Sequence, residues 1–205
     1  MNDQVSTFGR LGAGIVGIVA LGTLVLQTTI NTEPGTSPLE NFALLFRFFT
    51  IWSNFAGGVA MLWIAAGRPI SERMTFALAT ALTIVALVYH ALLAADHHPV
   101  GLDWWTNLNF HTIIPATFVL WWAVFSDRAH LTWRSLPWVM VFPIIYTAFA
   151  LIYGASTGFY AYFFLDLPSL GWGQLLLNMI GLSLFFVAMG AVLLALRKLL
   201  RRDLA

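Results

Sequence analysis

The chain has 205 residues, of which 60% are hydrophobic and only 9% are charged, and its net charge is +1. Because a water-exposed surface normally needs about a quarter of its residues to be charged, this composition excludes a soluble globular domain and indicates an integral membrane protein. Cysteine is absent, which excludes disulfide bonds, Fe–S clusters and thiol nucleophiles, and no basic run indicates a nucleic-acid partner.

Six apolar segments are each long enough to cross a bilayer, which takes about 20 residues of helix. They cover residues 11–30, 42–66, 74–95, 106–125, 136–154 and 174–196. Turn-forming stretches separate them, most clearly NTEPGTSP at 31–38 and DHHPVGLD at 96–103. The first segment is longer than the apolar part of a signal peptide, so we expect a retained helix. The predicted fold is an all-α bundle of six transmembrane helices, forming one domain over residues 1–205.

The distribution of charge predicts the orientation of these helices. In a six-span arrangement, nine of the ten basic residues fall on one side, and they are Arg10, Arg68, Arg73, Arg128, Arg134, Arg197, Lys198, Arg201 and Arg202. The loops on the other side hold Glu33, Glu40, Asp96, Asp103 and Asp166. Because basic loops remain in the cytoplasm, both termini are predicted to be cytoplasmic, and we expect a bacterial inner (plasma) membrane.

The second predicted span carries a polar stripe within FRFFTIWSNF, residues 46–55. On a continuous helix Arg47, Thr50 and Asn54 recur at i, i+3 and i+7, with Ser53 beside them. Thr and Asn in membrane helices often only join neighbouring helices by hydrogen bonds. A charge such as Arg47 costs about 2.5–3.5 kcal/mol inside lipid on insertion scales, so the stripe is predicted to face the bundle interior.

The fourth predicted span opens with TNLNFHTIIP. Asn107 and His111 are one helical turn apart, and Pro115 removes the backbone donor that would serve the carbonyl of residue 111. With the orientation above, Thr50, His111 and His90 of the third span lie at one depth, in the half of the membrane away from the termini. That coincidence predicts a site there.

Polar residues near the same end of other spans are predicted to line the same cavity, and they are Gln27 and Asn178. A hydroxyl nucleophile needs a base within hydrogen-bonding reach, and Thr50 with His111 supplies that pair. Asn54, Asn107 or Ser53 would orient the imidazole or stabilise an oxyanion. Arg47 is better suited to binding a substrate carboxylate, and the apolar flanks to holding an acyl chain.

The motifs FFTIWSN and NFHTIIP resemble those of the androgen-induced gene family of six-span membrane proteins, which includes bacterial members. Eukaryotic members of that family are threonine hydrolases of fatty acid esters of hydroxy fatty acids. The resemblance implies that Thr50 is the nucleophile, that His111 is the base and that the substrate is a lipid-like ester. It implies no cofactor and no metal. The chain has no Gly-x-Ser-x-Gly elbow, which fits that family and argues against an α/β-hydrolase.

Three alternatives compete with the hydrolase. His90 and His111 are potential axial ligands of a haem. A zinc site would draw three ligands from these two histidines, the loop residues His97 and His98, and a loop Asp. In a transporter or lipid-binding bundle the polar stripe would line a pathway, but no repeated halves indicate a transporter. We expect the hydrolase.

Overall fold

The computed structural model describes residues 5–30, 35–126 and 131–202, and their side chains up to residue 199. Regular structure in these ranges is entirely helical. The helices are α1 (Thr7–Gln27), α2 (Pro38–Leu45), α3 (Phe49–Ala65), α4 (Glu72–Val88), α5 (Leu102–Leu108), α6 (Ile114–Phe125), α7 (Val141–Thr157) and α8 (Leu167–Arg202). The charges expected at Glu33 and Arg128 lie outside the described residues, as do the side chains of Arg201 and Arg202.

Short π-helical and 3₁₀-helical turns extend several of these helices. A π-helical turn at Tyr89–Leu93 continues α4, and another at Asn109–Ile113 joins α5 to α6. A 3₁₀ segment at Trp133–Met140 leads into α7, and a shorter one at Phe163–Leu165 precedes α8.

With these extensions, five helical segments are long and apolar enough to cross a membrane. They are Thr7–Gln27, Glu72–Leu93, Leu102–Phe125, Trp133–Thr157 and Leu167–Leu199. The pair formed by α2 and α3 makes a sixth if it is counted as one bent span. The all-helical class expected from the sequence is therefore confirmed, and five or six of its helical segments have the length and apolarity that crossing a membrane requires.

The second predicted span, 42–66, is wrong as a continuous helix. α2 ends at Leu45, α3 begins at Phe49, and the two helices are bent by 107° relative to each other. Phe48 between them is extended, with φ −101° and ψ 134°. The polar stripe expected on one helix is thereby divided, since Arg47 precedes α3 whereas Thr50 lies within it.

Two aromatic side chains, one from α3 itself and one from α7, satisfy the backbone at this break. The Trp52 indole N–H donates to the carbonyl of Phe46 at 2.6 Å, and the Tyr146 hydroxyl donates to the carbonyl of Arg47 at 2.7 Å. Irregular backbone at membrane depth is tolerated only where protein groups replace the missing hydrogen bonds. These two donors therefore stabilise a helix end inside the bundle.

α1 packs closely along α3 because small residues line their contact. A Cβ added at Gly58 would lie 2.8 Å from Leu21 and 3.1 Å from Ala20, and one added at Gly17 would lie 3.0 Å from the Gly58 carbonyl oxygen. Small residues at such positions let two backbones approach within a membrane. At the start of α1, Arg10 donates to a carbonyl in the last turn of α3 at 3.2 and 3.3 Å.

α4 is the central helix. Its residues are buried in an almost unbroken run from Thr75 to Leu82, which is typical of a helix surrounded by protein. Phe76 stacks on Trp122 of α6 with ring centroids 5.8 Å apart. This core holds the C-terminal end of α4, which leads into the π-helical turn at Tyr89, beside α3 and α6.

Most basic side chains lie at one end of the bundle and most acidic side chains lie at the other. At the basic end, Arg73 lies over the Trp138 ring, Lys198 lies over Trp133, and buried Arg197 donates to the Ser126 hydroxyl at 2.8 Å. At the acidic end, the carboxylates are those of Glu40, Asp96, Asp103 and Asp166. The break between α2 and α3 belongs to the acidic half.

Candidate active site

Thr50 is the second residue of α3, immediately after the break. The N–H groups of Ile51 and Trp52 bond to the Phe48 carbonyl at 3.0 and 3.3 Å. The N–H of Phe49 points out of the helix end and donates to the Tyr162 hydroxyl at 3.1 Å. A helix N-terminus carries partial positive charge, so the Thr50 hydroxyl lies where a developing negative charge is stabilised.

His111 faces Thr50 from the π-helical turn between α5 and α6. Its Nδ1 lies 3.0 Å from the carbonyl oxygen of Asn107. Because a carbonyl can only accept, Nδ1 carries the proton and Nε2 is left as an acceptor. Nε2 lies 3.4 Å from Thr50 Oγ1, a long hydrogen bond of the kind seen when no substrate closes the site. The Thr50 hydroxyl therefore donates to His111.

Tyr89 holds the imidazole from the side. Its ring stacks on His111 with centroids 3.8 Å apart and planes 17° from parallel. Its hydroxyl accepts a hydrogen bond from the Asn107 side-chain amide at 2.6 Å and lies 3.3 Å from His97 Nδ1. Asn107 thus positions the base with its backbone carbonyl and positions the stacked tyrosine with its side chain.

Asn54 joins the helix of the nucleophile to the segment that precedes the base. It is fully buried, and its amide donates to the Thr50 carbonyl at 2.8 Å and to the Phe110 carbonyl at 3.2 Å. Within the described part of the chain, the Asn54 amide oxygen and the buried Ser53 hydroxyl have no hydrogen-bond partner. Asn54 is therefore a positioning residue for the pair.

Tyr162 closes the site from the segment before α8. Besides accepting from Phe49, its hydroxyl hydrogen-bonds with Thr50. Burial raises the pKa of the Tyr162 phenol above its ordinary range, and hydrogen bonds with Thr50, Phe49 and Tyr146 oppose part of that rise. The phenol is neutral at physiological pH, so its O–H is a donor beside the Thr50 hydroxyl.

A cavity of about 360 Å³ opens next to this pair, a size within the usual range of small-molecule sites. It lies between α4, α7 and α8 and reaches Thr50 and Tyr89 at one side. The wall is mainly apolar and consists of Phe49, Thr50, Ile84, Val85, Val88, Tyr89, Leu93, Met140, Pro143, Ile144, Tyr146, Thr147, Ala148, Leu151, Tyr162, Phe164, Leu165, Met179, Leu182, Ser183 and Phe186.

Three residues that the sequence placed in the site point elsewhere. The Arg47 guanidinium lies over the Phe159 ring at 4.0 Å, and its Nε donates to the Leu44 carbonyl at 2.7 Å. Exposed His90 bonds through Nε2 to the Thr112 hydroxyl at 2.9 Å. Asn178 donates to the Phe164 carbonyl at 3.0 Å. The break in the helix and the distinct faces of α4 and α8 separate these three from the pair.

The other predicted lining residue, Gln27, bonds Asp103 at 3.1 Å at the acidic end. Among the residues described, no three His, Asp or Glu side chains are arranged to hold a metal ion. The haem alternative would require His90 and His111 each to leave the hydroxyl group it now contacts.

Sequence reasoning missed the three tyrosines Tyr89, Tyr146 and Tyr162. Each carries a hydroxyl into an otherwise apolar setting, and such a hydroxyl needs a partner when buried. That requirement was the available signal, but it does not say which partner is used. The partners lie 18, 99 and 113 positions away along the chain.

No protein-family profile, curated protein or solved structure matches the chain. The functional assignment therefore depends on the geometry of the site and on the two short sequence motifs.

Proposed function

We propose that the chain is a membrane-embedded hydrolase of lipid esters in which Thr50 is the nucleophile and His111 the general base. The observation that carries this proposal is the chain of contacts from Thr50 Oγ1 to His111 Nε2 at 3.4 Å and from His111 Nδ1 to the Asn107 carbonyl at 3.0 Å. It supplies a hydroxyl, a base of the correct tautomer and a group that orients the base.

The reaction proceeds in two steps. In the first, His111 Nε2 takes the proton of the Thr50 hydroxyl as Oγ1 attacks the ester carbonyl carbon. The bond to the alcohol oxygen breaks, and the imidazolium returns its proton to the departing alcohol. In the second, His111 deprotonates a water that attacks the acyl-threonine, and the fatty acid leaves as Thr50 regains its proton.

Negative charge on the carbonyl oxygen is stabilised at the start of α3. The Tyr162 phenol accepts from the Phe49 N–H at 3.1 Å, and its O–H, which lies beside the Thr50 hydroxyl, would donate to the oxyanion once the ester is bound. Preorganised donors of this kind are usually the largest single contribution to catalysis of acyl transfer. Tyr162 takes the role that the sequence assigned to Asn54, Ser53 or Asn107.

The proposal is also supported by the motifs around Thr50 and His111, which resemble those of the androgen-induced gene family, whose eukaryotic members hydrolyse fatty acid esters of hydroxy fatty acids. We propose six spans with the basic end in the cytoplasm, both termini there, and the site in the outer half of a bacterial inner (plasma) membrane. The clustering of Arg10, Arg73, Arg197 and Lys198 at one end supports this orientation.

A lipid-like fluorophosphonate tests the nucleophile directly, since it forms a covalent adduct with an activated hydroxyl. The purified wild type should gain the mass of one adduct, mapped to Thr50 by peptide mass spectrometry. Thr50→Ala and His111→Ala should not label, whereas Thr50→Ser should. An adduct on Thr50→Ala, or none on wild-type protein that elutes as a folded species, would refute the assignment.

A further inference from the structure

Three helices each contribute one stripe to the wall of the cavity beside Thr50. On α7 the stripe includes Ile144, Ala148 and Leu151, and on α8 it includes Met179, Leu182 and Phe186. These spacings of three and four residues place each set on one helix face. The cavity is therefore a slot along two helices rather than a pit at a bundle end.

α7 and α8 approach each other most closely at the basic end. The 3₁₀ segment Trp133–Met140, which leads into α7, packs against α8 there. Over the interval beyond that point, the described residues of the two helices lack an extensive backbone contact. The cavity occupies that interval.

The cavity reaches the surface of the bundle through this interval. Ile144 lines it and is also 59% exposed, and Ala148 one turn further on lines it and is exposed as well. Both belong to Trp133–Thr157, a segment long and apolar enough to span a membrane. The surface at this opening therefore faces hydrocarbon and not water.

We infer that the gap between α7 and α8 is a lateral portal, through which a single slender acyl chain enters from the bilayer and lies along the cavity. This inference rests on the proposed function, which places the ester at Thr50. The portal is the surface between Ile144 and Ala148 on α7 and Ser183 on α8.

The chemistry of the wall favours hydrocarbon as the occupant. Most of the lining side chains are aliphatic or aromatic. The Ser183 hydroxyl donates to the Met179 carbonyl of its own helix at 2.8 Å, so its polarity is already satisfied. A headgroup would find no charged partner there, because no Lys, Arg, Asp or Glu of the described residues lines the cavity.

The length of the slot favours a long chain over a short one. On this side the lining runs from Met140, the residue before α7, to Leu151, which corresponds to about 16 Å at a rise of about 1.5 Å per residue. A long acyl chain fills this slot, whereas a butyryl group leaves most of it empty. A substitution that blocks the portal should therefore slow the hydrolysis of long-chain esters more than that of short-chain esters.

The test compares Ala148→Trp with Ile145→Trp. Ile145 is the neighbour on α7, is 53% exposed and does not line the cavity, so it controls for adding an indole at the lipid surface. In nanodiscs, Ala148→Trp should lower kcat/KM for a laurate ester relative to a butyrate ester by about tenfold or more, since single methylenes in an apolar pocket already change it about 10- to 200-fold. Ile145→Trp should leave the ratio unchanged, and Ile144→Trp provides a second blocking variant.

A binding measurement separates the portal from the reaction. A diazirine-bearing fatty acid should crosslink to α7 and α8 peptides in Thr50→Ala, and Ala148→Trp in that background should lose the crosslink. Blocking variants that retain both the crosslink and the laurate-to-butyrate ratio would overturn the portal. The wild type could also crosslink at α7 and α8 but show no fluorophosphonate adduct and no ester hydrolysis. That result would uphold the portal and refute the hydrolase.

Discussion

At the scale of single residues, the site is organised around the tautomer of one histidine. The Asn107 carbonyl holds the proton on Nδ1 of His111, and the Tyr89 ring stacked at 3.8 Å limits rotation of the imidazole. Asn54 then holds the Thr50 backbone at 2.8 Å. Thr50 and His111 are thus each positioned by an asparagine one helical turn away, and Asn54 also joins the two segments through the Phe110 carbonyl at 3.2 Å.

Tyr162→Phe tests the proposed oxyanion donor. The variant keeps the ring but removes the O–H, so kcat for ester hydrolysis should fall about 10²-fold with little change in KM, as for loss of one oxyanion donor. Tyr153→Phe is the matched control, because Tyr153 stacks on Phe149 with centroids 5.8 Å apart and does not line the cavity. Equal kcat in wild type and Tyr162→Phe would remove the phenol from the mechanism.

At the scale of helices, the break between α2 and α3 creates the site. It leaves the N–H of Phe49 without a partner in its own helix, so that this N–H donates to the Tyr162 hydroxyl beside Thr50. The π-helical turn at Asn109–Ile113 contains the base, and such turns are frequent at functional sites. Pro115 favours it, because the ring cannot donate to the carbonyl of residue 111.

The contact between α1 and α3 supports the broken helix and depends on small residues. Gly58→Val should lower the free energy of unfolding by about 1–3 kcal/mol, since the added methyls would collide with α1. Gly22→Val on α1 is the control, because a Cβ there meets nothing within 4 Å, and it should change stability by less than about 0.5 kcal/mol. Unfolding by titration with SDS measures both free energies. Equal free energies of unfolding for Gly58→Val and Gly22→Val would show that close packing of α1 on α3 does not stabilise the protein.

At the scale of the whole molecule, the cysteine-free chain allows a simple test of orientation. Single cysteines at His98→Cys and Arg134→Cys would report the acidic and the basic end, and both residues are exposed. In intact spheroplasts, a membrane-impermeant maleimide should label His98→Cys, whereas Arg134→Cys should label only after lysis, because basic loops stay in the cytoplasm. The reverse pattern would invert the proposed topology.

Much of the architecture could be predicted from hydropathy and charge alone. Length and apolarity decide whether a segment can cross lipid, so the helical segments around residues 74–95 and 106–125 were predicted close to their observed bounds. Thr50 and His111 also stood out, because polar groups in lipid are costly and therefore conspicuous. These are local properties, and each can be read from one stretch of chain.

Hydrogen bonds between distant segments decided the rest. A periodic pattern predicted one helix over 42–66, yet Tyr146 and Tyr162 replace the backbone bonds that the break removes. Arg47 consequently leaves the stripe that its spacing had predicted. The sequence by itself determined most of the apolar helical segments and drew attention to Thr50 and His111, because insertion into lipid depends on local composition. Only the tertiary structure decided where the helix breaks and what Thr50 faces, because satisfying the buried backbone depends on residues far apart in the chain.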